Sequence, residues 1–283
     1  MAGICAVVLA AGEGRRLRPL TTLLPKALCP VGNIALLDRA LQRVEALGLD
    51  AAVNAAYLGE QVVAHAGARA HVSVEPDGPL GTSGGLGLLR DWIDGRGVLV
   101  GNADAYLADP ARAPGKDIAA LLDGWDGNSV RMLTTAPRPG RAGEFGGECF
   151  AGFSLLPWRY VRDLTPAFSD LVRTVWRPAE AAGDLSLIRY AGTYIDTGTP
   201  ADYLAANLHA AGTADPTAVA TVTASVIGPG ATITGDVTES VIGPGATVAG
   251  TVTRSVVWPG ATVAPGETLT GVIRAGADMT VRA

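Results

Sequence analysis

The feature that most constrains this chain is a repeat near its C-terminus. Ser225-Val226-Ile227-Gly228-Pro229-Gly230-Ala231-Thr232-Ile233 returns as Ser240-Val241-Ile242-Gly243-Pro244-Gly245-Ala246-Thr247-Val248, and again as Ser255-Val256-Val257-Trp258-Pro259-Gly260-Ala261-Thr262-Val263, a spacing of 15 residues. A looser fourth copy runs Gly271-Val272-Ile273-Arg274-Ala275-Gly276-Ala277. Aliphatic residues six apart within each copy (Ile227 and Ile233, Ile242 and Val248, Val257 and Val263) point into one stacked core. Gly and Pro turn the chain at each corner. A unit this short cannot bury its apolar face alone, so the copies must stack into a β-solenoid.

The pattern resembles the hexapeptide-repeat left-handed parallel β-helix. Such coils take roughly 18 residues, so the closer spacing implies that each coil has lost half a hexad. The solenoid is assigned to residues 212–283, opening with a small, polar, linker-like stretch at 212–219. Residues 1–211 read differently. Ile4–Ala10 is a continuous apolar run, as expected of a strand buried on both faces. Ala35–Leu47 carries apolar residues at helical spacing, and Leu58–Ala66 and Ser83–Asp91 read as further helices. Short strands are expected at Ala51–Ala55, His71–Val74, Gly97–Val100, Val130–Thr135 and Cys149–Leu156. Thr199 and Pro200 open a last helix to Ala211. Alternating strand and helix predicts an α/β domain with a mostly parallel sheet, which binds ligands at the carboxyl ends of its strands.

Composition narrows the class. The 283 residues are 48% hydrophobic and 17% charged, enough to bury a core. A net charge of -5 without a basic tract excludes nucleic acid as a partner. No apolar run approaches the roughly 18 residues of a membrane span, and the N-terminus reads as a first strand rather than a signal peptide. Cys5, Cys29 and Cys149 fit no metal spacing and are expected to be free thiols in a reducing cytoplasm. Of the 22 cationic side chains only Lys26 and Lys116 are lysines, so a retained lysine invites a reason.

Three segments carry candidate chemistry. The first is Leu9-Ala10-Ala11-Gly12-Glu13-Gly14-Arg15-Arg16-Leu17-Arg18-Pro19-Leu20-Thr21, then Leu24-Pro25-Lys26-Ala27-Leu28-Cys29-Pro30-Val31. Glycines after a buried strand let backbone N–H groups approach phosphate, and Arg16 and Lys26 can neutralise the same polyanion. The third glycine of a dinucleotide fingerprint and the Gly-Lys-Ser/Thr of a P-loop are both missing. The second segment, Glu75-Pro76-Asp77-Gly78-Pro79-Leu80-Gly81-Thr82-Ser83-Gly84-Gly85, places a glycine-rich turn at a helix start. The third is a pair of strand-end carboxylates, Asp104 after Asn102-Ala103 and Asp196 before Thr197-Gly198-Thr199-Pro200. With a triphosphate loop they suggest a magnesium site, since this hard ion takes one or two carboxylates plus phosphate oxygens.

Together these segments resemble the sugar-1-phosphate nucleotidyltransferases, nearly residue for residue over the first motif. The resemblance implies a Rossmann-like domain that joins a nucleoside triphosphate to a sugar 1-phosphate with Mg and releases pyrophosphate. It implies that Leu9, Ala10, Ala11, Gly12 and Gly14 line the nucleotide, and that Arg16 holds the outgoing phosphates. Lys26 would contact the phosphates at the reacting centre. Glu75, Gly81 and Thr82 would read the base, Asp104 and Asp196 would hold the metal, and Gly85, Asn102 and Gly152 would lie near the sugar. The Leu-Gly-Thr-Ser-Gly turn leans toward the mannose-1-phosphate guanylyltransferases, with uridylyl or thymidylyl transfer to another sugar phosphate left open.

The middle of the domain departs from that family. Its Glu-Lys-Pro segment, which holds the sugar and its phosphate, has no counterpart; residues 136–148 are shortened, and Arg138, Arg141, Glu144 or Glu148 are the substitutes at hand. The loss also fits a catalytically silent regulatory subunit, against which stand the retained Arg16, Lys26, Asp104 and Asp196. The histidines, His65, His71 and His209, all precede the repeat, so an acyltransferase activity in the coils is not expected. Open coil ends need covering, which predicts a homo-oligomer.

Overall fold

The computed structural model describes residues 3–212, 222–276 and 278–283. They pack as two compact units, one made of Met1–Glu13, Pro25–Ala27 and Leu37–Tyr194, the other of Gly14–Leu24, Leu28–Leu36 and Ile195–Ala283. The expected linker, from residue 213 onward, lies outside the described residues, as does Ala277.

The first unit is built on a seven-stranded sheet. Its strands are β1 (Ile4–Leu9), β2 (Ala51–Ala55), β3 (His71–Val74), β4 (Gly97–Asn102), β5 (Val130–Thr135), β6 (Cys149–Leu156) and β7 (Leu185–Arg189), in the order β7-β5-β6-β4-β1-β2-β3. β1 runs parallel to both neighbours, with Ala6 opposite Ala51 on one side and Leu99 on the other. β6 alone in this sheet is antiparallel to its neighbours, β4 and β5. Cys5, Ala6, Val7 and Val8 are fully buried, as the unbroken apolar run requires of a central strand. Helices α1 (Leu36–Ala46), α2 (Gly59–Ala66) and α3 (Gly81–Leu88) follow the sequence pattern closely. α3 starts earlier than the apolar period suggests, because Gly81, with φ of +76°, makes the turn into it.

In the second unit, α4 (Pro200–Gly212) is capped as expected. The Thr199 hydroxyl accepts the Asp202 N–H at 3.2 Å and donates to the Asp202 carboxylate at 2.7 Å. The repeats form a β-helix of three stacked parallel sheets. Val222, Val237, Val252 and Leu269 follow one another in the first sheet, Val226, Val241, Val256 and Ile273 in the second, and Thr232, Thr247 and Thr262 in the third.

The short coil has a visible cause. Ala224, Glu239 and Arg254, at the corner between the first two sheets, all take φ of +47°, and one left-handed residue turns the chain where a longer corner would be needed. A serine follows each of these residues and is buried. The Ser225 hydroxyl accepts the Ser240 N–H at 2.9 Å and donates to the Thr223 carbonyl at 2.8 Å. Ser240 repeats the arrangement toward Ser255, and Ser255 toward Val272. The ladder of hydroxyls satisfies corner amides that the sheets leave unpaired. In the last copy Arg274 replaces an inward aliphatic. It pairs with Glu267 and donates to the Thr262 carbonyl and the Thr280 hydroxyl. There Met279–Arg282 folds back antiparallel on Val272–Ala275.

Candidate active site

The chain leaves β1 at Leu9 and crosses the carboxyl edge of the parallel strands. There a cleft of about 180 Å³ opens, lined by Leu9 to Gly12, Lys26, Ala27, Asn54, Pro79, Gly81, Thr82 and Asn102 to Asp104. Three sequence segments that looked separate thus line one cleft in the first unit: the glycine loop, the turn into α3, and the end of β4. It lies where a parallel sheet binds ligands.

A buried polar chain ties two of these segments together. The Ala10 N–H donates to the Asn54 side-chain oxygen at 2.7 Å, and the Asn54 amide donates to Glu75 at 2.7 Å. The second Glu75 oxygen accepts the Leu80 N–H at 2.7 Å. Asn54 and Glu75 are each only 2% exposed. Burial pushes the Glu75 carboxyl above the usual range, and the donors Leu80 and Asn54 pull against it. Both carboxylate oxygens are thus engaged in holding the turn. Asn54 escaped the sequence reading; its signal was one polar residue in the otherwise apolar run Ala51–Ala55.

The glycines of α3 face two neighbours. A Cβ on Gly85 would stand 2.7 Å from the Asn54 amide and 2.8 Å from Glu75. Gly81, Gly84 and Gly87 share the other face, where the carbonyls of Ser169, Ala167 and Thr165 lie against them. The Ser83 N–H donates to the Ser169 carbonyl at 3.1 Å, and the Thr82 hydroxyl accepts the Leu171 N–H at 2.9 Å.

The charged centre of the cleft is Lys26 and Asp104. The Lys26 ammonium lies 2.5 Å from the Asp104 carboxylate, with the lysine side chain 9% exposed and the aspartate 35%. Past Asp104, the strand Ala105–Ala108 is pinned from behind: the buried Arg43 guanidinium donates to the Leu107 carbonyl at 2.7 Å and pairs with Asp117 at 2.9 Å. Among the described residues that line the cleft, Asp104 is the one acidic side chain and no thiol or imidazole accompanies it. Such a donor set fits a hard cation completed by phosphate and water, and does not fit zinc. Among the described residues no three acidic, histidine or cysteine side chains cluster as a metal site.

The remaining predicted residues lie elsewhere. Arg16 and Asp196 belong to the second unit, 3.6 Å apart and both well exposed. Gly198 packs against both, a Cβ there falling 2.6 Å from the Arg16 guanidinium. Gly14, in the same unit, takes φ of +60° to enter a turn, and its carbonyl accepts the Thr21 hydroxyl. In the first unit, Glu148 accepts the Thr134 hydroxyl at 2.5 Å and faces Arg189 at 3.5 Å. Gly152 has φ of +82° in β6, and a Cβ there would strike Ala105.

A cleft at the carboxyl edge of the parallel strands, with one lysine and one aspartate at its charged centre, is the ligand-binding arrangement of an open α/β sheet. The chain belongs to the MobA-like NTP transferase domain family, whose pattern it matches over residues 6–151, just over half its length. It is 37% identical, over 42% of its length, to N-acetylmuramate alpha-1-phosphate uridylyltransferase of Caulobacter vibrioides, covering 52% of that protein. It is 28% identical, over 70% of its length, to the protein named Probable mannose-1-phosphate guanylyltransferase 2 of Arabidopsis thaliana, covering 63% of it. The chain thus spans less than two thirds of these curated relatives. A Bacillus anthracis structure described as a glucose-1-phosphate thymidylyltransferase shares the fold at a TM-score of 0.60 and 19% identity, over 74% of this chain and 95% of that one. Among the described residues no helix is long and apolar enough to cross a membrane.

Proposed function

We propose that the chain transfers a nucleotidyl group from a nucleoside triphosphate to a sugar 1-phosphate, with Mg, and releases pyrophosphate. The observation that carries this reading is the Lys26–Asp104 pair, set in a cleft whose other walls are the glycine loop and the turn into α3. The attacking sugar-phosphate oxygen is already an anion, so the reaction needs no general base. What it needs is alignment and cancellation of charge. Backbone amides of the glycine loop approach the phosphates, and the Lys26 ammonium offsets charge at the α-phosphorus as the bond to the leaving pyrophosphate breaks. Asp104 would hold the metal, which when bound supplies Lewis-acid neutralisation of the phosphate oxygens. Arg16 and Asp196 face each other within the second unit, and we assign them the roles that the resemblance implies, the first on phosphate and the second on metal.

For the substrates we favour guanylyl transfer to mannose 1-phosphate, because the relative aligned over 70% of the chain carries that name. Uridylyl transfer is the second reading, supported by the higher identity of the shorter alignment. The test is pyrophosphate release with Mg from each of the four ribonucleoside triphosphates and thymidine triphosphate against a panel of sugar 1-phosphates. Release with guanosine triphosphate and mannose 1-phosphate, lost in Asp104→Ala, is the expected result. Release with a uridylyl pair instead replaces the first reading by the second, and silence across the panel overturns both.

A further inference from the structure

The repeat breaks its own rule at one position. Where the first two copies carry Gly228 and Gly243, the third carries Trp258. Glycine is needed in the first two because a Cβ would run into the backbone of Pro244 or Pro259 in the next coil. After Trp258 the next copy has no such proline, so the large side chain is sterically permitted. It is nevertheless 4% exposed, so something in the second unit covers it.

That cover is α4. The Trp258 indole N–H donates to the Tyr203 hydroxyl at 3.0 Å, and the two rings meet edge to face with centroids 6.4 Å apart. Tyr203 is fully buried, and its own hydroxyl donates to the Pro30 carbonyl. Around this centre, Asn33 donates to the Ile242 carbonyl at 2.8 Å, and the Gly32 N–H donates to Asn207 of α4 at 3.0 Å. Val241 and Val256, on the outer face of the second sheet, are buried as well. The start of α4 is therefore fixed to the third coil through a fully satisfied polar contact. Three residues, Thr197 to Thr199, separate that start from Asp196 in the sequence, and Asp196 faces Arg16 across 3.6 Å in the same unit.

We propose that Trp258 is a positioning residue. Through Tyr203 it holds the first turn of α4, and so sets the Asp196 carboxylate against Arg16 for triphosphate binding. The solenoid on this view is part of the scaffold of the phosphate-binding residues rather than an appended spacer. The proposal rests on the roles given above to Arg16 and Asp196.

The test uses the full chain and four variants: Trp258→Gly, which restores the residue of the other copies; Trp258→Phe, which keeps an aromatic ring without the N–H; Tyr203→Phe, which removes one oxygen and no volume to speak of; and Val252→Ala, a cavity in the solenoid core. Binding of Mg with guanosine, uridine and thymidine triphosphates is measured by calorimetry, and KM is measured for both substrates of any pair that turns over. Trp258→Gly should weaken triphosphate binding about five- to tenfold, the range of a coupling carried through packed contacts. Tyr203→Phe should act in the same direction and Trp258→Phe should fall between. The KM for the sugar phosphate should not move, and Val252→Ala should lower the unfolding temperature with unchanged affinity. Wild-type affinity in folded Tyr203→Phe and Trp258→Gly overturns the proposal, as does an equal loss in Val252→Ala. If no pair turns over but a triphosphate binds, the transferase reading fails and the binding series still decides the role of Trp258. A wild type that binds none of the three triphosphates overturns both.

Discussion

The Lys26 ammonium and the Asp104 carboxylate sit 2.5 Å apart, the lysine almost covered and the aspartate one third open to solvent. In a chain whose one other lysine is Lys116, this is a place for a compact point charge. An arginine would need more room than the cleft leaves and would spread its charge over a plane. Lys26→Arg should therefore fail to restore function, and Lys26→Ala and Asp104→Asn should each lower turnover by about 10²–10³, the usual effect of losing one preorganised charge partner. Steady-state pyrophosphate release checks this; a Lys26→Arg enzyme near wild-type rate would refute the point-charge argument.

Two glycines in the cleft region separate ligand approach from packing. Nothing lies within 4 Å of a Cβ added at Gly12, whereas at Gly85 it meets Asn54 and Glu75. Gly12→Ala should unfold within about 0.5 kcal/mol of wild type, as surface substitutions do, and yet lose roughly tenfold in triphosphate affinity by crowding the loop. Gly85→Ala should lose about 1–3 kcal/mol by overpacking. Paired denaturation and titration measure both; unchanged affinity in Gly12→Ala would mean that the ligand does not approach the loop there.

These glycines also show how far sequence reaches. The run Leu9 to Gly14 reads as a candidate phosphate loop because of the longer motif around it, and Leu9 to Gly12 do line the cleft. Gly81 and Gly85 read as ligand-directed, yet each, like Gly84 and Gly87, also answers to a packing neighbour. The carbonyls of residues 165, 167 and 169 occupy one face of α3 and the Asn54–Glu75 pair occupies another. The segment that supplies those carbonyls has no period and so announces nothing. In the repeat, the inward aliphatics are evident from their spacing, but the hydroxyl ladder is not. Ser225, Ser240 and Ser255 merely open each copy in the sequence, and only the register brings each beneath the next coil's amide. Trp258 stands where the earlier copies carry glycine, and its reason lies in Tyr203, 55 residues away.

Glu75 should leave a signature in the pH dependence of stability. Burial raises its pKa in the folded protein above the ordinary 4.5. Between that value and the raised one, the folded state binds more protons than the unfolded state, so this group's contribution falls as pH rises through the window and then levels off. Glu75→Gln cannot ionise and should lack that component. It also offers one oxygen to two donors, Asn54 and Leu80, so it should be less stable at pH 4.5 by about 1–3 kcal/mol. Urea unfolding from pH 4.5 to 7 gives the difference curve, and a constant difference across the range would show that Glu75 does not titrate as argued.

The serine ladder predicts where the solenoid is most sensitive to a single atom. The Ser240 hydroxyl accepts the Ser255 N–H at 3.1 Å and donates to the Thr238 carbonyl at 2.7 Å, with the side chain fully buried. Ser240→Ala leaves that amide without its partner in a space too closed for water to replace it, a loss of about 1–3 kcal/mol. Thr247, in the third sheet of the same coil, faces solvent, and Thr247→Ala should cost no more than about 0.5 kcal/mol. The contrast matters more than either value, since both changes remove a hydroxyl from one coil of one solenoid. Equal losses in the two variants, followed by thermal unfolding, would mean that strand propensity rather than the buried ladder holds the coils in register.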